Sequence, residues 1–508
     1  MSKTPNEQLL FELIKSLTKS EKRSFKIYAK RSGSTNEAKF LRLFDAMDKL
    51  DQYDEVYLKK RLVDANDAQF ANLKSHLYGQ ILASLRLSNL KYDIDIELRE
   101  QLDYIRVLYK KGLYQQSLRL LNRAKNTTGD YRKDLFQLAI LDYEKQIRSQ
   151  QVFELNEAYV DDLDSQTENA FKRFSNVQRF FTLAIKMKAR FVEHGTVKNE
   201  KELNNLRALF YTSLPEYDED KLAFNEKFYL YRTFYWFSYL TYDFNSCVKY
   251  AEKWILLFYE TGLDEKRKSG FLKGLNRLLQ SAFRVDNLYV FNDYFEQLLS
   301  LESNNTQNSA SNTGALFIKY KAIQTFNSIF LNKDFEENEE IVLGILEDVN
   351  QKVNTIDKHN LMVIYYKAGV YFFAIQDYQK ANDYLNRVIS EQEHLRSDLK
   401  GFSRIINILI DYDSGEIDQM ELKIASALKY IGQEDNLGEF QKSFLGLIGD
   451  IGRIYPQNLR KSFLELKSHL ERLKHNALDA KPLLYFDLIS WLNAKIEGKS
   501  FLEIVKRD

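Results

Sequence analysis

Residue types that could carry chemistry are sparsely and unhelpfully placed in this chain. Gly498-Lys499-Ser500 has the ending of a phosphate-binding loop, in which backbone amides and a lysine cradle phosphates. That pattern needs a glycine five residues before Gly498, where Asn493 stands, and the preceding LISWLNAKIE reads as helix rather than strand. Nucleotide binding is not expected there. Gly446, Gly449 and Gly452 recur every three residues, a spacing that makes a flat helix face for close packing. Of the six histidines (His76, His194, His359, His394, His469, His475), the last two are close, but six residues apart puts them on different helix faces. No HExxH exists, so no metal is expected. The single cysteine, Cys247, excludes an intramolecular disulfide and a cysteine-based zinc site. It is expected to be a buried packing residue. The expectation is a protein without catalysis and without a cofactor.

The elements that would position any site are helices. The 508 residues hold 4 prolines and 19 glycines, so long helices can run uninterrupted. Strict two-residue alternation is rare and short. The fold class read from this is all-α. A chain of this length exceeds one compact core and implies several domains or an elongated array. No window offers about 18 apolar residues free of charge, the minimum for a spanning helix. The N-terminal MSKTPNEQLLFELIKSL is interrupted by Glu12 and Lys15 and does not read as a signal peptide. These features set the expectation of a soluble cytoplasmic protein with no membrane contact.

Net charge is +1, but it is uneven. Residues 1–91 carry 17 lysines and arginines against 11 acids, a net of +6, which leaves −5 for the rest. Residues 1–90 read as a separate basic helical module. Thr18–Glu21 and Ser34–Glu37 are capping-box patterns. The first opens a basic helix with Lys19, Lys22, Arg23, Lys26, Lys30 and Arg31. Apolar spacing predicts further helices over 37–50 and 67–89. The basic helix lacks the turn and second polar helix of a helix-turn-helix, so nucleic-acid binding is not favoured. A solvated face is the simpler account.

Residues 361–390, LMVIYYKAGVYFFAIQDYQKANDYLNRVIS, read as two amphipathic helices broken at Gln376 and Asp377. Gly369 and Ala381 stand where a helix pair needs small residues for close approach. This stretch resembles a tetratricopeptide repeat. Similar but looser pairs occur at 101–124, 228–254, 275–298, 319–345 and 404–427. The break positions Phe244, Leu288, Phe335, Tyr378 and Ile417 are 44, 47, 43 and 39 residues apart, longer than the family's ~34. Two further pairs are expected in 131–215, and a flexible loop in 303–314. Helices near 436–453, 456–475 and 481–507 complete the chain, the last as a cap over the final pair. The expected domains are 1–90, 91–430 and 431–508.

The resemblance implies a right-handed superhelix whose concave groove is lined by the first helix of each pair. Taking the Gly369 equivalent as position eight, the groove positions are two, five, nine, twelve and thirteen. The resulting candidates include Arg99, Arg106, Tyr109 and Lys110. The next pairs add Tyr229, Arg232, Trp236 and Tyr239, then Lys273, Asn276, Gln280, Phe283 and Arg284. Later pairs give the apolar Val363, Tyr366, Val370 and Phe373. Cations beside aromatics suit an extended acidic peptide. Against this stands a plainer reading in which the aromatics are inter-pair core and the cations are solvated. The leading expectation is a scaffold binding a partner protein or peptide. The rivals are a peptide-sensing or nucleic-acid-binding regulator and an enzyme assembled from scattered residues. A deep pocket with converging ionisable groups would raise the last.

Overall fold

The computed structural model describes residues 6–30, 35–61, 67–90, 93–151, 156–197, 199–301, 312–353, 355–391, 396–416, 420–433, 446, 456–474 and 485–507. Every regular element among them is helical. The chain divides into two compact units, Met1–Lys172 and Arg173–Asp508.

The first unit begins with α1 (Asn6–Ser16), α2 (Lys19–Lys30), α3 (Thr35–Lys49), α4 (Glu55–Arg61) and α5 (Asp67–Asn89). These share a core of their own around Phe25, Phe44, Met47, Leu77 and Ile81. The start of α2 is a capping box: the Thr18 amide donates to Glu21 Oε2 (2.8 Å) and the Glu21 amide donates to Thr18 Oγ1 (3.1 Å). A second core, including Leu98, Ile105, Leu121 and Ile140, joins α6 (Ile94–Lys110), α7 (Tyr114–Tyr131) and α8 (Asp134–Arg148). The division between units falls within α9 (Glu157–His194). Two pairs were expected over 131–215. Instead α9 is one 38-residue helix, because no glycine or proline interrupts 157–194.

The second unit continues with α10 (Glu200–Ser213), α11 (Phe224–Leu240), α12 (Phe244–Thr261), α13 (Lys268–Arg284), α14 (Leu288–Ser300), α15 (Asn312–Asn332), α16 (Glu339–Gln351), α17 (Lys358–Ala374), α18 (Tyr378–Ser390), α19 (Ser397–Ser414), α20 (Met420–Gln433), α21 (Pro456–Lys474), α22 (Leu488–Glu497) and α23 (Phe501–Arg507). Consecutive helices pack in pairs, and the first helices α13, α15, α17 and α19 also pack on one another in a row. The turns repeat one device. A left-handed residue precedes the second helix at Gly112, Tyr242, Asp286, Lys333 and Gln376. At Asp243, Asn287 and Asp377 the next residue caps that helix through its side chain. The steps from 242 to 376 reproduce the 44, 47 and 43 residues read from the sequence. Ile417 and the 303–311 stretch lie outside the described residues, as do Gly449 and Gly452.

Three of the pairs cross in a shared register of twelve residues. Ser117 Oγ donates to the Ile105 carbonyl (3.0 Å), and buried Cys247 Sγ donates to the Tyr235 carbonyl (3.6 Å). At the same crossing, Gly369 faces Ala381 and Leu385; a Cβ on Gly369 would sit 2.6 Å from Leu385 Cγ.

The last helices do more than cover an end. Trp491 packs on Tyr412 and Phe463, while Phe486 and Phe501 meet Phe373 of α17 edge-to-face with centroids 5.3 and 5.6 Å away. The apolar groove position Phe373 is therefore buried by the chain itself. Lys506 reaches Glu336, 170 residues earlier, at 2.9 Å. The expected single helix over 481–507 is broken at Gly498 (φ 68°). Ser500 and Glu503 then form a capping box that opens α23. Gly498-Lys499-Ser500 is thus a junction between two helices.

Gly369→Ala is expected to destabilise the protein by about 1–3 kcal/mol through overpacking against Leu385. Gln376→Gly is expected to stabilise it by up to about 1 kcal/mol by relieving a left-handed side-chain-bearing residue. Urea midpoints of the two variants, moving in opposite directions, check both.

Candidate functional site

Within the second unit, α9, α11, α13, α15 and α17 and the 485–505 segment enclose a cavity of 1330 Å³. Nine lysines and arginines line it (Lys188, Arg232, Lys273, Arg277, Arg284, Lys319, Lys333, Lys367, Arg396) against three carboxylates, Asp286, Asp357 and Asp487. Trp236, Tyr239, Phe283 and Phe330 supply apolar wall between the charges.

Several of these cations are fixed by aromatic rings rather than by acids. The Arg232 guanidinium lies 5.1–5.9 Å from the ring centroids of Phe181, Phe228, Tyr229 and Trp254. Arg277 lies 4.9 Å from the Trp236 ring and donates to Gln280 Oε1 (2.9 Å). Such contacts hold a cation in place without neutralising it. Trp254 itself leans on α13 at Gly274, where a Cβ would come within 2.9 Å of the indole nitrogen.

A buried chain of amides runs along one wall. Lys367 Nζ on α17 donates to Asn327 Oδ1 (2.6 Å). Asn327 Nδ2 donates to Gln324 Oε1 (2.7 Å), both on α15, and Gln324 Nε2 donates to Asn276 Oδ1 on α13 (2.8 Å). The Lys367 amine at one end therefore orients three amides across three helices. Rings of Phe283 and Phe330 flank the amine at 4.9 and 5.2 Å.

At the far side, Arg396 grips Asp398 with two guanidinium nitrogens (2.9 and 2.8 Å), and the Tyr485 hydroxyl donates to the same carboxylate (2.8 Å). The Tyr366 hydroxyl donates to the Tyr485 carbonyl (3.2 Å). These bonds tie the C-terminal segment to α17 and the start of α19.

The electrostatics record burial first and the neighbouring cations second. Burial, then the charges of Arg284 and Arg396, lowers the Lys367 amine to about 7. Burial followed by Arg277 and Arg232 pushes Lys188 down, and burial with Arg232 and Lys319 does the same to Lys273. His359 falls to about 4 through burial and repulsion from Arg396. Burial alone would raise Asp357, but hydrogen bonds from Lys319 (2.7 Å) and Asn360 bring it to about 2.

Of the groove residues expected from the sequence, Arg232, Trp236, Tyr239, Lys273, Asn276, Gln280 and Arg284 line this cavity. Tyr229 contributes by stacking on Arg232. Arg99, Arg106, Tyr109 and Lys110 belong to the first unit and are not among its lining residues. There Arg99 lies over Phe136 at 5.6 Å, and Arg106 lies over Tyr109 and donates to Gln146 (3.2 Å). On α2, Lys22 pairs with Asp48 (2.6 Å) and Lys26 with Asp45 (2.7 Å). Lys19, Arg23 and Lys30 are exposed, and Arg31 lies outside the described residues.

Sequence reasoning missed Arg277 and Lys367. Both stand two residues before the Gly369-equivalent position, as does Gln324. That position turns into the wall and was left out of the groove set. Lys188 was hidden because the two pairs expected over 131–215 gave no turn from which to number groove positions, and that stretch holds the single long α9. Among the described residues, no group of acids, histidines and cysteine could hold a metal ion, and no helix is long and apolar enough to cross a membrane. Compared with known proteins, the chain matches no family model, no curated protein and no solved structure.

Native Lys367 is deprotonated above about pH 7, whereas an unfolded lysine keeps its proton to about 10.4. Stability is therefore expected to rise with pH between those values, by at most about 1.4 kcal/mol per unit from this group. Urea midpoints at pH 7, 8 and 9 should rise less steeply in Lys367→Met than in the wild type.

Proposed function

We propose that this protein is a non-catalytic scaffold of tetratricopeptide-like helical pairs that binds an acidic segment of a partner protein in the cavity of its second unit. One observation carries the reading: nine lysines and arginines face three carboxylates inside a single 1330 Å³ cavity. That volume exceeds the roughly 300–1,000 Å³ of pockets for drug-sized ligands. It suits several residues of an extended chain. Carboxylates of such a segment would meet the cations, and its apolar side chains would meet Trp236, Tyr239 and Phe330. A cytoplasmic partner fits this reading best, as the lone cysteine favours a reducing compartment.

A deep pocket with converging ionisable groups was the sign that would raise an enzyme. The groups that converge here are mostly of one sign. His359 is held neutral by its surroundings, and Asp357 is committed to Lys319 and to capping α17. A matched acid and base are the usual requirement for proton-transfer catalysis, and this arrangement favours binding. The nucleic-acid reading loses support at α2, where Lys22 and Lys26 are already paired with acids.

Two of the three tryptophans, Trp236 and Trp254, line the cavity and report its occupancy. Titration with hexaglutamate at about 50 mM salt should change their fluorescence, and hexalysine should not. The affinity should fall as salt rises. Lys188→Glu/Lys273→Glu should weaken hexaglutamate at least about tenfold, a loss of about 1.4 kcal/mol. Arg106→Glu, outside the lining, should bind as the wild type does. Absence of hexaglutamate binding, or equal loss in both variants, would overturn the reading.

A further inference from the structure

The cations of the cavity are not evenly committed. Lys367 is anchored on Asn327, Arg396 on Asp398 and Arg277 on Gln280. A different arrangement gathers Lys188, Arg232, Lys273 and Lys319, supplied by α9, α11, α13 and α15 respectively. Arg232 is clamped among four rings, so its guanidinium is oriented in advance. Lys188 and Lys273 have no hydrogen-bond or ion-pair partner among the described residues. Lys319 has one, Asp357, at 2.7 Å. Lys188 and Lys273 are each close enough to Arg232 and Lys319 for those charges to disfavour their protonation.

Four cations with one carboxylate leave an excess that a single carboxylate of a ligand would not balance. A phosphoryl monoester carries about −1.5 to −2 charges near pH 7 and three strong acceptor oxygens. A planar, pre-set guanidinium with two ammonium groups that have no partner among the described residues matches that geometry, with two oxygens for the fork and the remaining one for the lysines. We propose that Lys188, Arg232, Lys273 and Lys319 form a subsite for a phosphoryl group. The inference rests on the peptide-binding reading for where the cavity's occupant comes from, and on this side-chain cluster for which part of it is gripped. The phosphoryl group has two possible sources, a phosphorylated side chain of the bound segment or a free phosphate.

The test compares three probes on the full chain at pH 7, read by tryptophan fluorescence. They are a glutamate-rich peptide, the same peptide with a central phosphoserine, and inorganic phosphate. The phosphopeptide is expected to bind at least about tenfold more tightly than its unphosphorylated form. In Lys188→Ala/Lys273→Ala that ratio should collapse toward one. Lys188→Gln/Lys273→Gln, which keeps a polar side chain one atom shorter but removes the charge, should behave the same way, and unchanged urea midpoints would show that both variants fold. Weak binding of inorganic phosphate beside tight phosphopeptide binding assigns the group to a modified partner. Phosphate binding as tightly as the phosphopeptide assigns it to a free ligand and retains the subsite. Equal affinity for both peptides in the wild type overturns the subsite and leaves the peptide reading standing. Phosphate binding without either peptide overturns the peptide reading and leaves the subsite standing. Failure of all three probes overturns both.

Discussion

Two helices can lie against each other at close range where one of them presents little or no side chain. Here that condition is met at a fixed register. Ser117, Cys247 and Ala381 each stand twelve residues after the residue they cross, and at Gly369 the space for a Cβ is already filled by Leu385. At five pairs among the described residues a left-handed residue precedes the second helix, followed at three of them by an Asp or Asn cap. Crossing and turn together fix how each pair is built. The pairs in turn decide which side of every first helix faces inward, so the cavity wall follows from the register.

The cost of that wall is electrostatic. Bringing like charges together in a partly desolvated space is unfavourable, and the lowered lysines 188, 273 and 367 show where it is felt. The protein offsets some of it with neutral partners: the amide chain from Lys367 to Asn276 and the rings around Arg232. Acids could have neutralised these groups more completely. Their scarcity leaves a field able to attract an anion from solution.

The helical class, the pair at 361–390 and the 44-, 47- and 43-residue spacing were legible in the sequence, because periodic apolar faces and turn residues are local signals. So were Arg232, Lys273 and Arg284, which the pair register places inward. Lys188 was not legible: its helix runs 38 residues without a break and offers no turn from which to count. Arg277 and Lys367 sat one position outside the expected groove set, and which of two neighbouring faces lines a wall depends on how adjacent pairs pack. The contribution of Tyr485, Phe486 and Phe501 was invisible for another reason. It depends on contacts across more than a hundred residues, which no local pattern encodes.

That long-range closure has a consequence for biosynthesis. Residues 188–399 of the cavity lining leave the ribosome well before Tyr485, Phe486, Phe501 and Val505. Until those last side chains arrive, Phe373 and its neighbours are open to solvent and to whatever else the emerging chain meets. The cavity is complete only once the 485–505 segment has folded back onto it. A nascent polypeptide stalled before residue 485 would display the cationic wall with one side missing and an apolar strip beside it, a natural target for chaperones that recognise exposed hydrophobic surface.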